Sequence, residues 1–412
     1  MERYIRRRGA VLEQMKEGSI MVLYSGESAP RTMDECFPFA VNHHFFYLTG
    51  IERENMALVL SRSTGEARTI LFIEEAIPTM ERWTGKRLTM EEAKAISGVD
   101  DVRLIDSLPS ALGRMVARET VEEAYFDCYR NAMADTDSFN MAKAKAFAAA
   151  YPTVALKNAH PMLAGMRMIK DETEIAALRE AIAITDKGLR RLLSALRPGQ
   201  MEYQAQAEFE YEIAVQGAQG TSFATIAGSG FNGCMLHYDT NRCRMEDGML
   251  LLLDLGAKKD GYCADISRTY PVNGKYSERQ KQIYDIVLAA NQAVTAAARP
   301  GVTLGELNDL CKRVLAEGLM AIGKIESADQ IGTYYMHNVS HHLGLDTHDA
   351  VLKDGMPLEP GMVITNEPGL YIDEESIGIR IEDDLLITQD GCEVLSAGIA
   401  RTTQEIEALM AR

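Results

Sequence analysis

Apolar residues recur along the first part of the chain in short unbroken runs, at Ser19–Tyr24, Met56–Ser61, Thr69–Ile73 and Glu123–Phe126. Runs of this length predict strands. Met90–Ile96 and Asp135–Ala150 carry helical spacing instead, and strands interleaved with helices predict an α/β domain. The texture changes at Tyr151-Pro152 and His160-Pro161. Asp171-Glu172-Thr173-Glu174 then has the form of a helix start, with a carboxylate three residues beyond the capping position. The pattern predicts one domain over 1–160 and a second over 161–412.

The second domain repeats itself. One long helical run closes at Arg197-Pro198-Gly199 and is followed by a helix over Met201–Gln216; another, Ser277–Ala298, closes at Arg299-Pro300-Gly301 and is followed by Thr303–Ile322. Pro-Gly supplies the stop that helix ends favour. Each half continues into apolar runs bearing acids, Met249–Gly256 and Tyr262–Tyr270 in the first, Met362–Tyr371 and Ile377–Thr388 in the second. Self-similarity of this kind predicts two copies of one α/β unit facing each other across a cleft that holds the site.

Composition narrows the class. A chain of 412 residues exceeds what one core usually supports, about 250–300 residues. No window approaches the roughly 20 apolar residues of a membrane helix. Arg6-Arg7-Arg8 is followed by Glu13, Lys16 and Glu17 before any apolar run, which reads as an amphipathic first helix of a cytoplasmic protein rather than a signal peptide. Seven cysteines without a C-x-x-C pair suggest buried thiols, neither a disulfide framework nor a thiolate zinc site. A net charge of −17 argues against nucleic acid. Gathered carboxylates, by contrast, suit hard divalent cations.

Leu250-Leu251-Leu252-Leu253-Asp254-Leu255-Gly256 is a buried-strand pattern with a carboxylate inside it, and an ionised carboxylate there requires a cationic partner. The same holds for Asp265, Glu367 and Glu382 in their apolar runs. Any one of them alone is accounted for as well by a strand end or an arginine; four in one domain point to shared cations. Asp254 and Asp265 fit neighbouring antiparallel strands joined by the turn Lys258-Lys259-Asp260-Gly261. Four of the eight histidines fall between His337 and His348, a density that suggests metal ligation or proton transfer. There is no H-E-x-x-H. Four carboxylates balance two divalent metals, and a mostly oxygen donor set with one imidazole favours Mn²⁺ over thiolate-seeking zinc. Two such ions ~3.5–4 Å apart acidify a shared water and clamp an oxyanion, which is hydrolysis chemistry.

Asp254, Asp265, His341, Glu367 and Glu382, with Ser340–Asp349, Glu367–Tyr371 and Gly378–Asp383 around them, resemble the pita-bread metallopeptidases, the family of methionine aminopeptidase, aminopeptidase P and prolidase. The resemblance covers essentially the whole chain. It implies an N-terminal α/β domain ahead of a pseudo-two-fold catalytic domain. It further implies that Asp254 chelates one metal, that His341 and Glu367 hold the other, and that Asp265 and Glu382 bridge them. Mn²⁺ is the expected ion, with Co²⁺ or Zn²⁺ as alternatives. Glu367 would take the proton of the attacking water, His237, His337 and His348 would contact the substrate, and Arg380 and Tyr371 would orient them. His342 lies outside the pattern and reads as packing or surface. Gly228-Ser229-Gly230 with Gly233 reads as a loop shaping the approach to His237, not as a phosphate cradle.

Pro38–Asn42 and Phe46–Gly50 resemble the first domain of aminopeptidase P and prolidase, which methionine aminopeptidases lack. The substrates implied are peptides with proline in second position. Such a bond needs a special site because its nitrogen carries no N–H and its ring fixes φ. Dipeptide-specific prolidase stands as an alternative, since the segment from His348 to Glu367 holds Lys353 but no arginine, where some family members use one to position substrate; a catalytically silent binding protein is the alternative from another class. The segment around Trp83, the one tryptophan, has two readings. Trp83 is a partly buried anchor of its own domain, or, as the resemblance implies for a homo-oligomer (dimer or tetramer), it reaches a neighbouring subunit's active-site mouth and binds substrate there.

Overall fold

The computed structural model describes residues 1–63 and 65–411. The chain divides into two compact units, Met1–Met166 and Arg167–Arg412, the division falling inside the helix His160–Met168.

In the first unit, β1 (Ser19–Tyr24), β2 (Ala57–Ser61), β3 (Arg68–Ile73), β4 (Asp101–Leu104), β5 (Glu123–Phe126) and β6 (Ala155–Asn158) form one sheet. Its order is β4-β3-β2-β1-β5-β6. The pairs β1–β2 and β2–β3 are antiparallel, whereas β1–β5, β5–β6 and β3–β4 are parallel. Ile20, Met21, Val22 and Leu23 of central β1 are all fully buried, which is why its sequence is a continuous apolar run. Leu108, Leu112 and Met115 of helix Leu108–Arg118 and Phe147 of helix Phe139–Ala150 pack with Ile20, Val22, Val59 and Phe126. Each such side chain contributes about 1.5–3 kcal/mol on burial. The second of these helices begins four residues later than the pattern from Asp135 suggested, because the Ser138 hydroxyl accepts from the Met141 N–H and caps it there. In helix Glu2–Gln14, Arg7 and Arg8 are buried and donate to the Tyr47 and Leu48 carbonyls, which lie near the end of helix His43–Thr49. The basic start of the chain therefore serves packing, satisfying carbonyls that a helix end leaves open.

In the second unit, helix Glu172–Ala195 packs on Glu202–Val215, and Glu278–Ala297 on Leu304–Ala321. The capping box of Asp171 and Glu174 starts the first of these. Each pair closes over a glycine: a β-carbon at Gly188 would lie 2.5 Å from the Phe209 ring, and one at Gly318 2.5 Å from Ile286. After the first pair come β7 (Gly220–Thr221), β8 (Ile226–Ser229), β9 (Leu250–Leu255), β10 (Ala257–Lys259), β11 (Tyr262–Cys263) and β12 (Ile266–Pro271). After the second come β13 (Val363–Asn366), β14 (Gly369–Ile372), β15 (Ile377–Arg380), β16 (Asp383–Ile387) and β17 (Cys392–Val394). The sheets are β12-β9-β8 and β11-β10-β7 in one half, β13-β16-β17 and β14-β15 in the other. Leu192, Phe209, Leu251, Tyr284, Leu315, Ile364 and Leu385 belong to one apolar core that joins both halves. The result is the mixed α/β fold with a pita-bread second domain that the sequence implies.

Three expectations are corrected. The runs Tyr262–Tyr270, Met362–Tyr371 and Ile377–Thr388 are not single strands, since each breaks in two. Gly228 and Ser229 lie in β8, and Gly230–Cys234 is a 3₁₀ turn rather than open loop. All seven cysteines are free thiols, yet Cys36 and Cys243 are exposed and only Cys234, Cys263 and Cys311 are buried. No helix among the described residues is long and apolar enough to cross a membrane.

Candidate metal centre

The three strand breaks are where the acids sit. Asp265 lies between β11 and β12, Glu367 between β13 and β14, and Glu382 between β15 and β16. Pro368 explains the second break, because proline has no N–H for the ladder. Leaving the ladder frees these residues from pleat alternation, so their side chains turn to one place, Asp265 buried at 4% exposure, Glu382 at 2%, and Glu367 half-buried. Asp254 alone stays within a strand, opposite Ser267 in the β9–β12 register. The tight fit behind it depends on Gly378 of β15, where a β-carbon would stand 1.9 Å from the Gly233 carbonyl oxygen.

One ligand atom from each of Asp265, His341 and Glu382 lies within 4.8 Å of the others. His341 Nε2 is 3.4 Å from Asp265 Oδ2 and 3.6 Å from Glu367 Oε1, too long for hydrogen bonds and suited to donors that share an ion. Its Nδ1–H donates to the His342 carbonyl at 3.0 Å, which in the neutral ring leaves the Nε2 lone pair available. Arg380 Nη2 donates to Asp254 Oδ2 at 2.7 Å, so the arginine reading of Asp254 is realised. That oxygen keeps a second lone pair, and Asp254 Oδ1 is buried with no hydrogen-bond partner. Arg380 Nε also donates to Ser267 Oγ at 2.7 Å, and Ser267 donates in turn to Glu382 Oε2 at 2.8 Å.

Charge balance tests whether the set fits a metal. Burial, then the charges of Asp254, Asp384 and Glu367, push the Asp265 carboxyl well above its ordinary range. Glu382 is driven up by burial, then by Asp265, Glu367 and Asp254, and Glu367 is driven up by burial. Arg380 opposes these shifts without cancelling them. Buried carboxylates crowded beyond what one guanidinium neutralises, with an unpartnered oxygen and an unprotonated imidazole nitrogen, fit hard divalent cations.

All five of these residues line one cavity of about 610 Å³, together with His237, His337, His348 and Arg380. Phe223, Ile226 and Leu236 give it an apolar wall. Tyr371 stands behind: Arg380 Nη1 donates to its phenol oxygen at 2.9 Å, and its O–H donates to Nε2 of the neutral His337 ring at 2.8 Å. His337 Nδ1–H then donates to the Asn338 carbonyl at 2.8 Å. Both nitrogens are thus committed in the neutral ring, consistent with a pKa lowered to about 4 by burial and by Arg380. The His348 ring lies 4.1 Å from that of His341, centroid to centroid, and burial, then His341 and His237, lower its pKa.

His342 is buried, pairs with Ile364 in an isolated bridge and does not line the cavity, as a packing residue should. Lys353 is exposed and does not line it either. Trp83 is 85% exposed on helix Pro78–Thr84, which buries nothing, so the anchor reading fails; nor is it among the lining residues.

Two supporting residues escaped sequence reasoning. Ser267 is one; its place opposite Asp254 was legible only with the register known. Glu202, fully buried, is the other. Its Oε1 accepts from the Ser229 N–H at 2.8 Å and from Asn232 Nδ2 at 3.1 Å, and its Oε2 from the Tyr238 hydroxyl and the Cys243 N–H, both at 2.8 Å. It thereby pins the segment that carries His237, though in sequence it reads as an ordinary acid in a helix's first turn.

Residues 176–389 match Metallopeptidase family M24, and residues 4–125 match Aminopeptidase P, N-terminal domain. The chain is 36% identical to the Xaa-Pro aminopeptidase of Escherichia coli (strain K12), over 99% of this chain and 97% of that protein. It is 33% identical to the Xaa-Pro aminopeptidase of Haemophilus influenzae, with the same shares covered. The solved structure of aminopeptidase P from E. coli with the inhibitor Pro-Leu aligns with a TM-score of 0.90 at 35% identity, over 99% of this chain and 98% of that one. The chain belongs to metallopeptidase family M24, with an aminopeptidase P N-terminal domain preceding its peptidase domain.

Proposed function

We propose that this chain is an Xaa-Pro aminopeptidase, hydrolysing the bond between an N-terminal residue and a proline in second position. The observation that carries this reading is that Asp254, Asp265, His341, Glu367 and Glu382 meet in one cavity with His237 and His348. The full-length likeness to proteins of that name supports it.

In this reading Asp254 would hold one divalent ion and His341 and Glu367 a second, with Asp265 and Glu382 serving both. Mn²⁺ suits the donor set best, with Co²⁺ or Zn²⁺ as alternatives. When bound, the pair supplies an acidified water and polarises the scissile carbonyl. Glu367 accepts the proton of the attacking water. His237 and His348 offer N–H groups to the carbonyl oxygen as it gains charge and to the departing nitrogen. His337, with both nitrogens engaged, orients Tyr371 and Arg380 instead of donating to substrate. Phe223, Ile226 and Leu236 receive the proline ring, which needs apolar contact and no acceptor for an N–H. We place the protein in the cytoplasm as a homo-oligomer, a dimer or tetramer, in which exposed Trp83 meets substrate at a neighbouring copy's cavity.

Digestion of Ala-Pro, Ala-Pro-Ala and a longer Xaa-Pro peptide with added Mn²⁺ tests the activity. Cleavage of the tripeptide and the longer peptide is expected. Cleavage of the dipeptide alone would identify a prolidase, and none at all a silent binding protein.

A further inference from the structure

A second set of metal-ligating side chains lies in the first unit. His44 is in the first turn of helix His43–Thr49, Asp127 directly follows β5, and His160 opens the helix after β6. Asn42, which caps the first of these helices, donates its N–H to the Ser25 carbonyl just past β1. Since β1, β5 and β6 are parallel, all three side chains gather at the carboxyl ends of these strands, the edge where open α/β sheets hold ligands.

One ligand atom from each of His44, Asp127 and His160 lies within 4.8 Å of the others. His44 Nε2 stands 3.0 Å from His160 Nδ1. Two nitrogens on one tetrahedral Zn²⁺, at bonds of ~2.0–2.1 Å, stand about 3.3 Å apart, so the pair needs only a small rotation to share an ion. The donors are also oriented from behind, as ligating side chains are. Asp127 Oδ2 accepts from Asn42 Nδ2 at 2.7 Å and Oδ1 from the Tyr129 N–H at 3.3 Å. The Tyr129 ring stacks on His160 at 4.3 Å, and the His160 N–H donates to Asn158 Oδ1 at 3.0 Å. His44 and Asp127 are buried and His160 is half-buried, which leaves one side for entry.

We infer that His44, Asp127 and His160 form a further divalent-cation site, separate in its residues from the dinuclear centre and suited to Zn²⁺, with water as the fourth ligand. Two imidazoles and one carboxylate are a donor set for a borderline metal, in contrast to the oxygen-rich set of the second unit. The ion ties the start of helix His43–Thr49 to the end of β5 and the start of helix His160–Met168. In the metal-free form one ring N–H occupies the His44–His160 contact. Binding moves that proton to the other nitrogen of the same ring, with no net loss, and because a ligating imidazole must be neutral, protons compete with the ion and affinity falls as pH drops below the imidazole range.

The test is a metal count on full-length protein, stripped with chelator, dialysed against excess Zn²⁺ and washed. Wild type should retain one equivalent more than His160→Gln, and Zn²⁺ should raise the wild-type Tm by more than that of the variant. Equal counts in the two would overturn the assignment. His44→Asn should lose the same equivalent; if it fails to fold, the half-buried His160 still decides. The readout is a difference confined to the first unit, so it stands whatever the second unit binds.

Discussion

His341 and His337 differ in what each ring has left to offer. His341 spends its Nδ1–H on a backbone carbonyl and presents a bare Nε2 to Asp265 and Glu367, whereas His337 has both nitrogens engaged. His348 has neither assignment, and its ring stands in the cavity beside His341. Replacing it with alanine should leave the metal content unchanged and lower kcat by about 10²–10⁴-fold, the usual worth of a proton-transfer group. A variant with normal kcat, or one that loses its metals, would show the assignment to be wrong. For Glu202→Ala, the buried N–H and hydroxyl of Ser229, and part-buried donors from Asn232, Tyr238 and Cys243, lose their acceptor. Each unsatisfied group costs ~1–3 kcal/mol, so urea unfolding should show a loss of several kcal/mol, with Glu202→Gln losing less. The candidate ligands stood out in sequence because carboxylates and imidazoles in apolar runs demand explanation. Ser267 and Glu202 were not, because their work depends on which backbone groups the fold brings to them.

At the scale of elements, apolar runs located most strands, but their breaks at Asp265 and Glu382 left no mark that periodicity detects; only Pro368 announced one. Gly378 is as silent in sequence, yet it lets β15 lie against the Gly230–Cys234 turn. Gly378→Ala must drive backbone from backbone, which should displace the neighbouring Glu382 and lower metal affinity; unchanged binding of two ions would refute this. A buried ion network fixes the loop that carries His348. Asp349 accepts from Arg167 and from Lys170, the latter at 3.1 Å, with Asp349 and Lys170 side chains both 1% exposed. Burial alone would raise the Asp349 carboxyl, but Arg167 and Lys170 outweigh it and hold it below 3.8. As acid is added, the unfolded chain therefore takes the proton first. The stability is fully present above the ordinary carboxylate range and is lost as pH falls through the folded pKa. Asp349→Asn should cost ~3–5 kcal/mol at neutral pH by leaving the buried Lys170 uncompensated, Arg167 keeping Asp346, and should flatten the acid limb of stability against pH. An unchanged acid limb would exclude the network as its source.

For the molecule as a whole, the repeat of helix pair and strands was visible from two Pro-Gly stops, and it implied both the paired halves and the site. Activity should vanish on chelation and return with Mn²⁺ or Co²⁺; full turnover by verified metal-free protein would contradict the metal reading. The anchor reading of Trp83 could not be judged from sequence, because a segment of mixed charge is compatible with either face of a helix. Its exposure supports the oligomer reading. Trp83→Ala should keep fold and metals but lose kcat/KM on Xaa-Pro peptides, and dissociation by dilution should do the same. Full activity in a demonstrated monomer would sink the idea.

That lone, 85% exposed indole also decides what light can report about this protein. Its emission in a dissociated subunit should be that of an indole in water, open to collisional quenching by iodide, and nearly indifferent to urea, since unfolding offers it little new solvent. Tryptophan fluorescence would thus record a flat line while the peptidase core melted, and a blue-shifted, shielded signal would register only the docking of another copy.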